Sequence, residues 1–174
     1  GGNDVGWGGS GNDTLKGQGG IDSLHGEAGD DQFVWRLGDS SDQFDGGLDA
    51  DSVLVQGDRW ANQISVLQSA SSQLQLSDGS GTITIEDSIS LVIVDAGSGR
   101  DTVTIDTVDR VPTAMLIVNG QGGRDTIDAG GRDLGAVRMM VDGGNGNDTI
   151  IGSSEDDSLL GGDGADVIIA EGGE

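Results

Sequence analysis

The sequence predicts an all-β solenoid of stacked parallel strands. Three observations predict it. A nine-residue pattern repeats in phase at both ends of the chain. Elsewhere apolar and polar residues alternate at period two. No stretch carries the period of a long amphipathic helix.

The N-terminal array comes first. Gly8-Gly9-Ser10-Gly11-Asn12-Asp13-Thr14-Leu15-Lys16 is followed by Gly17-Gln18-Gly19-Gly20-Ile21-Asp22-Ser23-Leu24-His25, then by Gly26-Glu27-Ala28-Gly29-Asp30-Asp31-Gln32-Phe33-Val34. Upstream, Gly2 and Asp4 hold the phase of the fourth and sixth positions. The rule is G-G-x-G-x-D-x-U-x, with U a large apolar residue. Glycines admit positive φ and let carbonyls converge. The aspartate supplies a hard anionic oxygen. The x-U-x stretch is a short strand with U pointing inward. Two nonapeptides close one coil, so aspartates 18 residues apart stack on one side.

The middle carries longer coils of the same kind. Gly46-Gly47-Leu48-Asp49-Ala50-Asp51-Ser52-Val53-Leu54 fits the nine-residue rule. The segment from Gly97 to Val103 recurs at Gly120 to Ile127 and at Gly143 to Ile150, which sets Asp101, Asp125 and Asp148 at intervals of 24 and 23. Apolar strands precede these turns: Leu91 to Val94, Met115 to Val118 and Met139 to Val141. The strands Gln63 to Val66, Gln73 to Leu76, Thr82 to Ile85 and Thr102 to Ile105 alternate at period two and are rich in β-branched residues. The C-terminal array, Gly143 to Ile151, Gly152 to Leu160 and Gly161 to Ile169, returns to the tight repeat. In its second copy Glu155 stands where the fourth-position glycine belongs.

One solenoid is therefore expected over residues 1–174, with tight coils in 1–34, degenerate wide coils in 35–95 and repeat-like coils in 96–174. Coils are expected to be 18 residues long at both ends and about 20 to 27 between, all strands pairing in parallel. One column of turns is expected to hold Asp13, Asp31, Asp51, the Asp78–Gly81 turn, Asp101, Asp125, Asp148 and Asp166. The opposite column would hold Asp4, Asp22, Asp133, Asp157 and turns near Asp42, Asn62, Asp87 and Asp109.

Composition narrows the function. Of 174 residues, 31 are acidic and 8 basic, for a formal net charge of −23. Such a surface repels phosphates, so no nucleic-acid partner is expected. No apolar run reaches the roughly 18 residues of a membrane span. The absence of cysteine rules out disulfides, thiolate metal sites and a cysteine nucleophile. High charge, few aromatics and much glycine also describe disorder. A disordered acidic tract, however, does not keep its apolar residues at a fixed phase. Both ends of the sequence fall in mid-repeat, as expected of a piece of a longer chain.

The nonapeptides resemble the RTX, or haemolysin-type calcium-binding, repeat of secreted bacterial proteins. The resemblance is close over 1–34 and 143–174 and looser over 46–54 and 95–134. It implies a right-handed parallel β-roll, several calcium ions as cofactors, folding on calcium binding, and type I secretion to the exterior or cell surface. It also implies a ligand set. The second and fourth carbonyls and the Asp of one turn face the first and third carbonyls and the Asp of the next. Carried over, Gly9, Gly11 and Asp13 meet Gly26, Ala28 and Asp31. Gly2 and Asp4 meet Gly17, Gly19 and Asp22. Gly144, Gly146 and Asp148 meet Gly161, Asp163 and Asp166. In the wider coils Gly97, Gly99 and Asp101 meet Gly120, Gly122 and Asp125, while Gln121, Gly123 and Asp125 meet Gly143, Asn145 and Asp148. Asp51 and Asp157 are expected as ligands of their own turns, the second with a partner turn beyond residue 174. Arg100 and Arg124 are expected to face solvent.

The expected role is structural: a segment of a filament, surface layer or adhesin, without enzymatic activity. Two alternatives stay open. One is a calcium-binding module of a secreted enzyme. The other is a carbohydrate-binding module using Trp7, Trp35 and Trp60, for which padding of the coils is the plainer reading. The expected partners are calcium ions and, end to end or laterally, further copies. His25 is the one histidine. It is expected as a solvent-facing loop residue rather than a member of a Ser–His–Asp triad, since no nucleophile elbow accompanies it. Asn12-Asp13-Thr14 and Asn147-Asp148-Thr149 match a glycosylation acceptor, which is read as coincidence with the repeat.

Overall fold

Each coil lays one strand into each of two facing sheets, and short turns join them. The computed structural model describes residues 1–86, 88–108 and 113–172, among which there are strands and turns but no helix. The N-terminal coils give β1 (Val5–Ser10), β2 (Thr14–Leu15), β3 (Ser23–Ala28), β4 (Gln32–Arg36), β5 (Gln43–Leu48) and β6 (Asp51–Asp58). The middle gives β7 (Gln63–Gln68), β8 (Leu74–Ser77), β9 (Thr82–Ile85) and β10 (Ile89–Gly99). The rest is β11 (Thr102–Ile105), β12 (Met115–Asn119), β13 (Gly122–Gly123), β14 (Thr126–Asp128), β15 (Arg138–Asp142), β16 (Asn145–Gly146), β17 (Thr149–Ile151), β18 (Ser158–Leu160) and β19 (Val167–Ile169).

A ten-stranded sheet runs β1-β3-β5-β9-β8-β7-β11-β14-β17-β19. A nine-stranded sheet follows the path β18-β15-β12-β10-β6-β4-β2, and β13 and β16 extend it beside the glycine end of β10. Pairing is parallel everywhere except β7 with β8 and β8 with β9. This corrects the expectation that every coil travels the same way round. After β7 the chain reverses at Ser69–Gln73 and again at Asp78–Gly81. The meander thus walks back along the sheet until β9 pairs with β5, Phe44 beside Ile85. The chain then re-enters the other sheet as β10, directly against β6, with Val53 beside Val92.

The meander changes both coil length and column membership. Successive turns lie 18 and 20 residues apart before it, 39 across it, and 24, 23 and 18 after it. The interval from Asp51 to Asp101 is therefore not two wide coils. Asp13, Asp31 and Asp51 lead into the nine-stranded sheet through β2, β4 and β6, whereas Asp101, Asp125, Asp148 and Asp166 lead into the ten-stranded one through β11, β14, β17 and β19. The latter four stack in line with Asn62, and Asp4, Asp22 and Asp42 head the same sheet. The Asp78–Gly81 turn is a hairpin inside the meander, and Asp133 is exposed rather than stacked. Asp87 and Asp109 lie outside the described residues.

The core lies between the sheets. Inward positions alternate along the central strands and are fully buried: Phe33 and Trp35 in β4, Val53 and Val55 in β6, Val92 and Val94 in β10, Leu116 and Val118 in β12. Phe33 and Phe44 stack across the interior at 5.1 Å between ring centroids. The Trp35 Nε1–H donates to the Ser40 carbonyl at 3.0 Å. Each such side chain stabilises the fold by roughly 1.5–3 kcal/mol through apolar burial. The core thins at the C-terminal end, where Val167, Ile168 and Ile169 of β19 are exposed.

Candidate metal centres in the turns

Backbone geometry gives each position of the glycine motif a separate task. The second and fourth residues of every intact turn have positive φ: Gly9 and Gly11, Gly97 and Gly99, Gly144 and Gly146. Gln18, Glu27 and Gln121 occupy second positions at φ 64°, 78° and 67°. First-position glycines serve another purpose. A Cβ on Gly8 would lie 2.8 Å from the Gly26 carbonyl oxygen and 2.9 Å from Asp13 Oδ2. On Gly120 it would lie 2.5 Å from the Gly143 oxygen and 2.8 Å from Asp125 Oδ2. On Gly143 it would lie 2.5 Å from the Gly161 oxygen and 2.8 Å from Asp148 Oδ2. In each case a carboxylate oxygen and a carbonyl oxygen from the next coil converge on one small cradle.

The two oxygens of each aspartate are used differently. Oδ1 accepts the backbone N–H of the Asp one coil earlier. Asp4 donates to Asp22 at 2.8 Å, Asp13 to Asp31 at 2.8 Å, Asp22 to Asp42 at 2.9 Å and Asp31 to Asp51 at 2.8 Å. Further along, Asp101 donates to Asp125 at 2.8 Å, Asp125 to Asp148 at 2.8 Å and Asp148 to Asp166 at 2.9 Å. Oδ2 has no donor at all in Asp13, Asp22, Asp31, Asp42, Asp51, Asp101, Asp125 and Asp148, although all eight are buried atoms. A buried carboxylate oxygen without a partner costs several kcal/mol unless a cation or proton meets it.

Electrostatics register the same cost. Burial, joined by the charges of Asp22 and Asp39, pushes Asp42 up to about 6. Burial, joined by Asp101 and Asp148, does the same to Asp125, again to about 6. Asp51 and Asp101 are raised as well, chiefly by burial. Among the described residues no three acidic or histidine side chains gather at one point. The donor set is instead carboxylate and backbone carbonyl oxygen, which suits a hard cation that tolerates carbonyls, namely calcium.

The structure brings the sequence-derived ligand pairs together. The Gly2 N–H donates to the Gly19 carbonyl at 2.9 Å and the Gly11 N–H to that of Ala28 at 2.8 Å. Gly146 donates to Asp163 and Asp163 to Gly144, at 2.8 and 2.7 Å. Gly99 is in register with Gly123, and Gly122 with Asn145. The Asn145 N–H reaches the Gln121 carbonyl at 2.7 Å. Asp51 is buried with its Oδ2 free, and that oxygen lies over Gly46, the counterpart of Gly26 one coil before. Asp157 is placed differently: its carboxylate folds back to accept from the Ser153 N–H at 2.6 Å and the Ser153 hydroxyl at 2.9 Å.

The sequence places turns near Asp42 and Asn62 but does not give their roles, nor that of the fifth-position asparagines. Asp42 stacks as an equal member of its column, although its turn, Leu37 to Asp42, holds a single glycine. Asn62 holds the place of an aspartate, and its Nδ2 donates to the carbonyls of Trp60 and Ala96, both at 2.9 Å. A neutral amide there ties together two carbonyls that elsewhere face a carboxylate oxygen. Fifth-position asparagines form a second ladder: Asn3, Asn12 and Asn147 Oδ1 accept from the N–H of Ile21, Asp30 and Ala165. The N-D of the repeat is thus a structural pair.

His25 is a strand residue and not a loop residue. It faces out from β3, with Nε2 3.1 Å from Ser23 Oγ and Nδ1 3.3 Å from Asp45 Oδ2. The order is that of a Ser–His–Asp relay, but the Ser23 N–H is already given to the Asp4 carbonyl and is not free to serve an oxyanion. Trp7 stacks on His25 at 6.1 Å and Arg59 lies over the Trp60 ring at 5.0 Å; both indoles are exposed, whereas Trp35 is core.

Stacked turns that aim carboxylate and carbonyl oxygens at shared cradles define a class: a β-roll held together by divalent cations in its turns. Its two arms are RTX calcium-binding nonapeptide repeats, whose family model matches four copies over residues 1–34 and 142–174. Repeats of this type bind calcium, so calcium is the cofactor of these turns. A search of curated proteins finds no match to the chain.

Proposed function

We propose that the chain is a calcium-folded structural segment of a large secreted or cell-surface bacterial protein, working in a filament, surface layer or adhesin and carrying no catalysis of its own. One observation carries the reading: among the described residues, eight buried aspartate oxygens lack any hydrogen-bond donor, in turns that stack coil upon coil. A cation that binds only the stacked turns stabilises the fold by mass action. In low calcium the carboxylates repel and the glycine turns stay disordered. Secretion unfolded, followed by folding where calcium is abundant, fits a cysteine-free chain. No helix of the described residues is long and apolar enough to cross a membrane.

Circular dichroism tests the reading. In chelator the strand signal of both arms is expected to fall, and millimolar calcium is expected to restore it. A spectrum that ignores calcium would overturn the proposal.

A further inference from the structure

The two sheets turn unlike faces to solvent. Through the middle of the ten-stranded sheet the outward positions include Gln75, Thr84, Thr102, Thr126 and Thr149, and its exposed apolar residues, Val5, Trp7, Leu48 and Val167 among them, sit apart on β1, β5 and β19. On the nine-stranded sheet a half-exposed apolar row lies between two polar rows, one of them holding Gln32, Ser52 and Arg138 beside Leu91 and Met115. Leu54, Ile93, Ile117 and Met140 follow one another in register across β6, β10, β12 and β15, and Leu91 and Met115 pair beside them. Their neighbours along each strand, Val53, Val92, Leu116 and Met139 among them, are the buried inward positions. Parallel strands that are apolar on both faces are ordinarily covered on both.

We propose that this outer face packs against the same face of a second copy, in a two-fold dimer whose axis runs along β10. The proposal deepens the structural role above and rests on the calcium-folded roll. It stands on symmetry, charge and area. β10 is the middle of the seven-strand path β18-β15-β12-β10-β6-β4-β2. A two-fold along it sets Ile93 against Ile93 and Leu54 against Ile117 of the second copy. The polar row on the turn side of this patch runs Arg36, Gln56, Asp95, Asn119, Asp142 in register. The same two-fold places Arg36 opposite Asp142, and Gln56 opposite Asn119. Asp95 meets its own counterpart at the rim, where solvent screens the pair, and it already accepts from Asn119 Nδ2 at 2.7 Å. With strands about 4.8 Å apart, about five residues each from β15, β12, β10, β6 and β4 and the shorter β18 and β2 offer roughly 475 Å² per copy, or roughly 950 Å² over both. A specific interface needs about 1,000 Å². Sheets pack face to face about 10 Å apart with strands nearly aligned, which this two-fold permits.

Sedimentation equilibrium of the full chain in millimolar calcium tests the dimer. A concentration-dependent dimer is expected, and Ile93→Asp is expected to weaken it by roughly tenfold or more. Circular dichroism with and without calcium shows whether that variant still folds. The chain has no cysteine, so an Arg36→Cys, Asp142→Cys double variant treated with a short bismaleimide gives a clean crosslink readout. Facing sheets lie about 10 Å apart, within reach of the reagent, whereas β4 and β15 of one copy lie four strand spacings, about 19 Å, apart. A covalent dimer is expected from this pair and none from Arg36→Cys with Thr104→Cys on the opposite sheet. A chain that stays monomeric, as it would if another segment or protein covers the face, overturns the proposal. So does a dimer indifferent to Ile93→Asp, or a crosslink confined to the control pair. An intact calcium response with a monomeric chain sinks the dimer alone, whereas a missing response sinks the calcium reading.

Discussion

At the residue scale, the motif's glycines should not be equivalent. A Cβ on Gly26 would collide with Asp31 Oδ2 and stand 2.5 Å from the Gly46 carbonyl oxygen. A Cβ on Gly19 meets nothing within 4 Å. Gly26→Ala is therefore expected to raise the calcium concentration at half-folding by about tenfold, about 1.4 kcal/mol, while Gly19→Ala leaves it nearly unchanged. Calcium titrations followed by circular dichroism read both, and equal effects would refute the cradle. Asn62 gives the inverse experiment. Its amide satisfies the Trp60 and Ala96 carbonyls without an ion. Asn62→Asp would replace two hydrogen bonds by repulsion, at a cost of about 2–3 kcal/mol in chelator. Chemical denaturation should show that loss shrink when calcium is added. Protons offer a third handle. Asp42 and Asp125 are raised from 3.8 to about 6 in the ion-free fold, so that fold holds protons the unfolded chain releases between those values. Ion-free stability should accordingly rise as pH falls from 7 through 6 toward 4, and be lost as pH climbs through 6. Thermal melts in chelator at pH 4.5 and 7 check the sign, and a higher melting temperature at pH 7 would contradict it.

At the element scale, the tight arms were legible in the sequence and the meander was not. In the arms Asp13, Asp22, Asp31, Asp148 and Asp166 fix the phase, and only one stacking satisfies the glycines around them. Between Gln63 and Ile85 the sole signal is period-two alternation, which parallel and antiparallel strands share. The turns at Ser69–Gln73 and Asp78–Gly81 hold the same small polar residues as a solenoid turn. Nothing local reveals that the chain doubles back. The error therefore propagated as parity: each later aspartate was assigned to the wrong column while its stacking partner stayed right, because Asp101, Asp125 and Asp148 keep their own spacing. The turn near Asn62 was legible but the role of its amide was not, since an amide in the aspartate position looks like decay of the motif until its two carbonyl partners are seen. The meander and Asn62 lie together where the core is densest, with Val53, Ile64, Leu76, Ile83 and Val92 all buried. This region should hold without calcium. Hydrogen exchange in chelator is expected to find the amides of β6, β7, β10 and β11 protected while those of β1 to β3 and β16 to β19 exchange freely. Protection in the arms with an open middle would contradict this division.

At the scale of the whole molecule, eight of the 31 acidic residues behind the formal charge of −23 carry the buried oxygens of the turns. The eight buried orphan oxygens recur at successive gaps between coils, and the gap after Asn62 is closed by its amide while Asp157 is quenched by Ser153. One calcium at each orphan oxygen would bring the net charge from −23 to about −7, provided each site takes one divalent ion as its oxygen donors suggest. That change decides whether a second copy can approach, since self-repulsion between chains of strong like charge opposes contact of even a complementary apolar face. Folding and assembly would then answer to the same ion through different routes: local carboxylate pairing for the coil, and long-range charge for the dimer. Native mass spectrometry can count the ions directly. About eight per chain are expected at saturating calcium, fewer by one in Asp125→Asn and unchanged in Asp157→Asn. A count below four would mean that protons, not calcium, meet the orphan oxygens, and the roll would be an acid-stabilised fold that calcium only decorates.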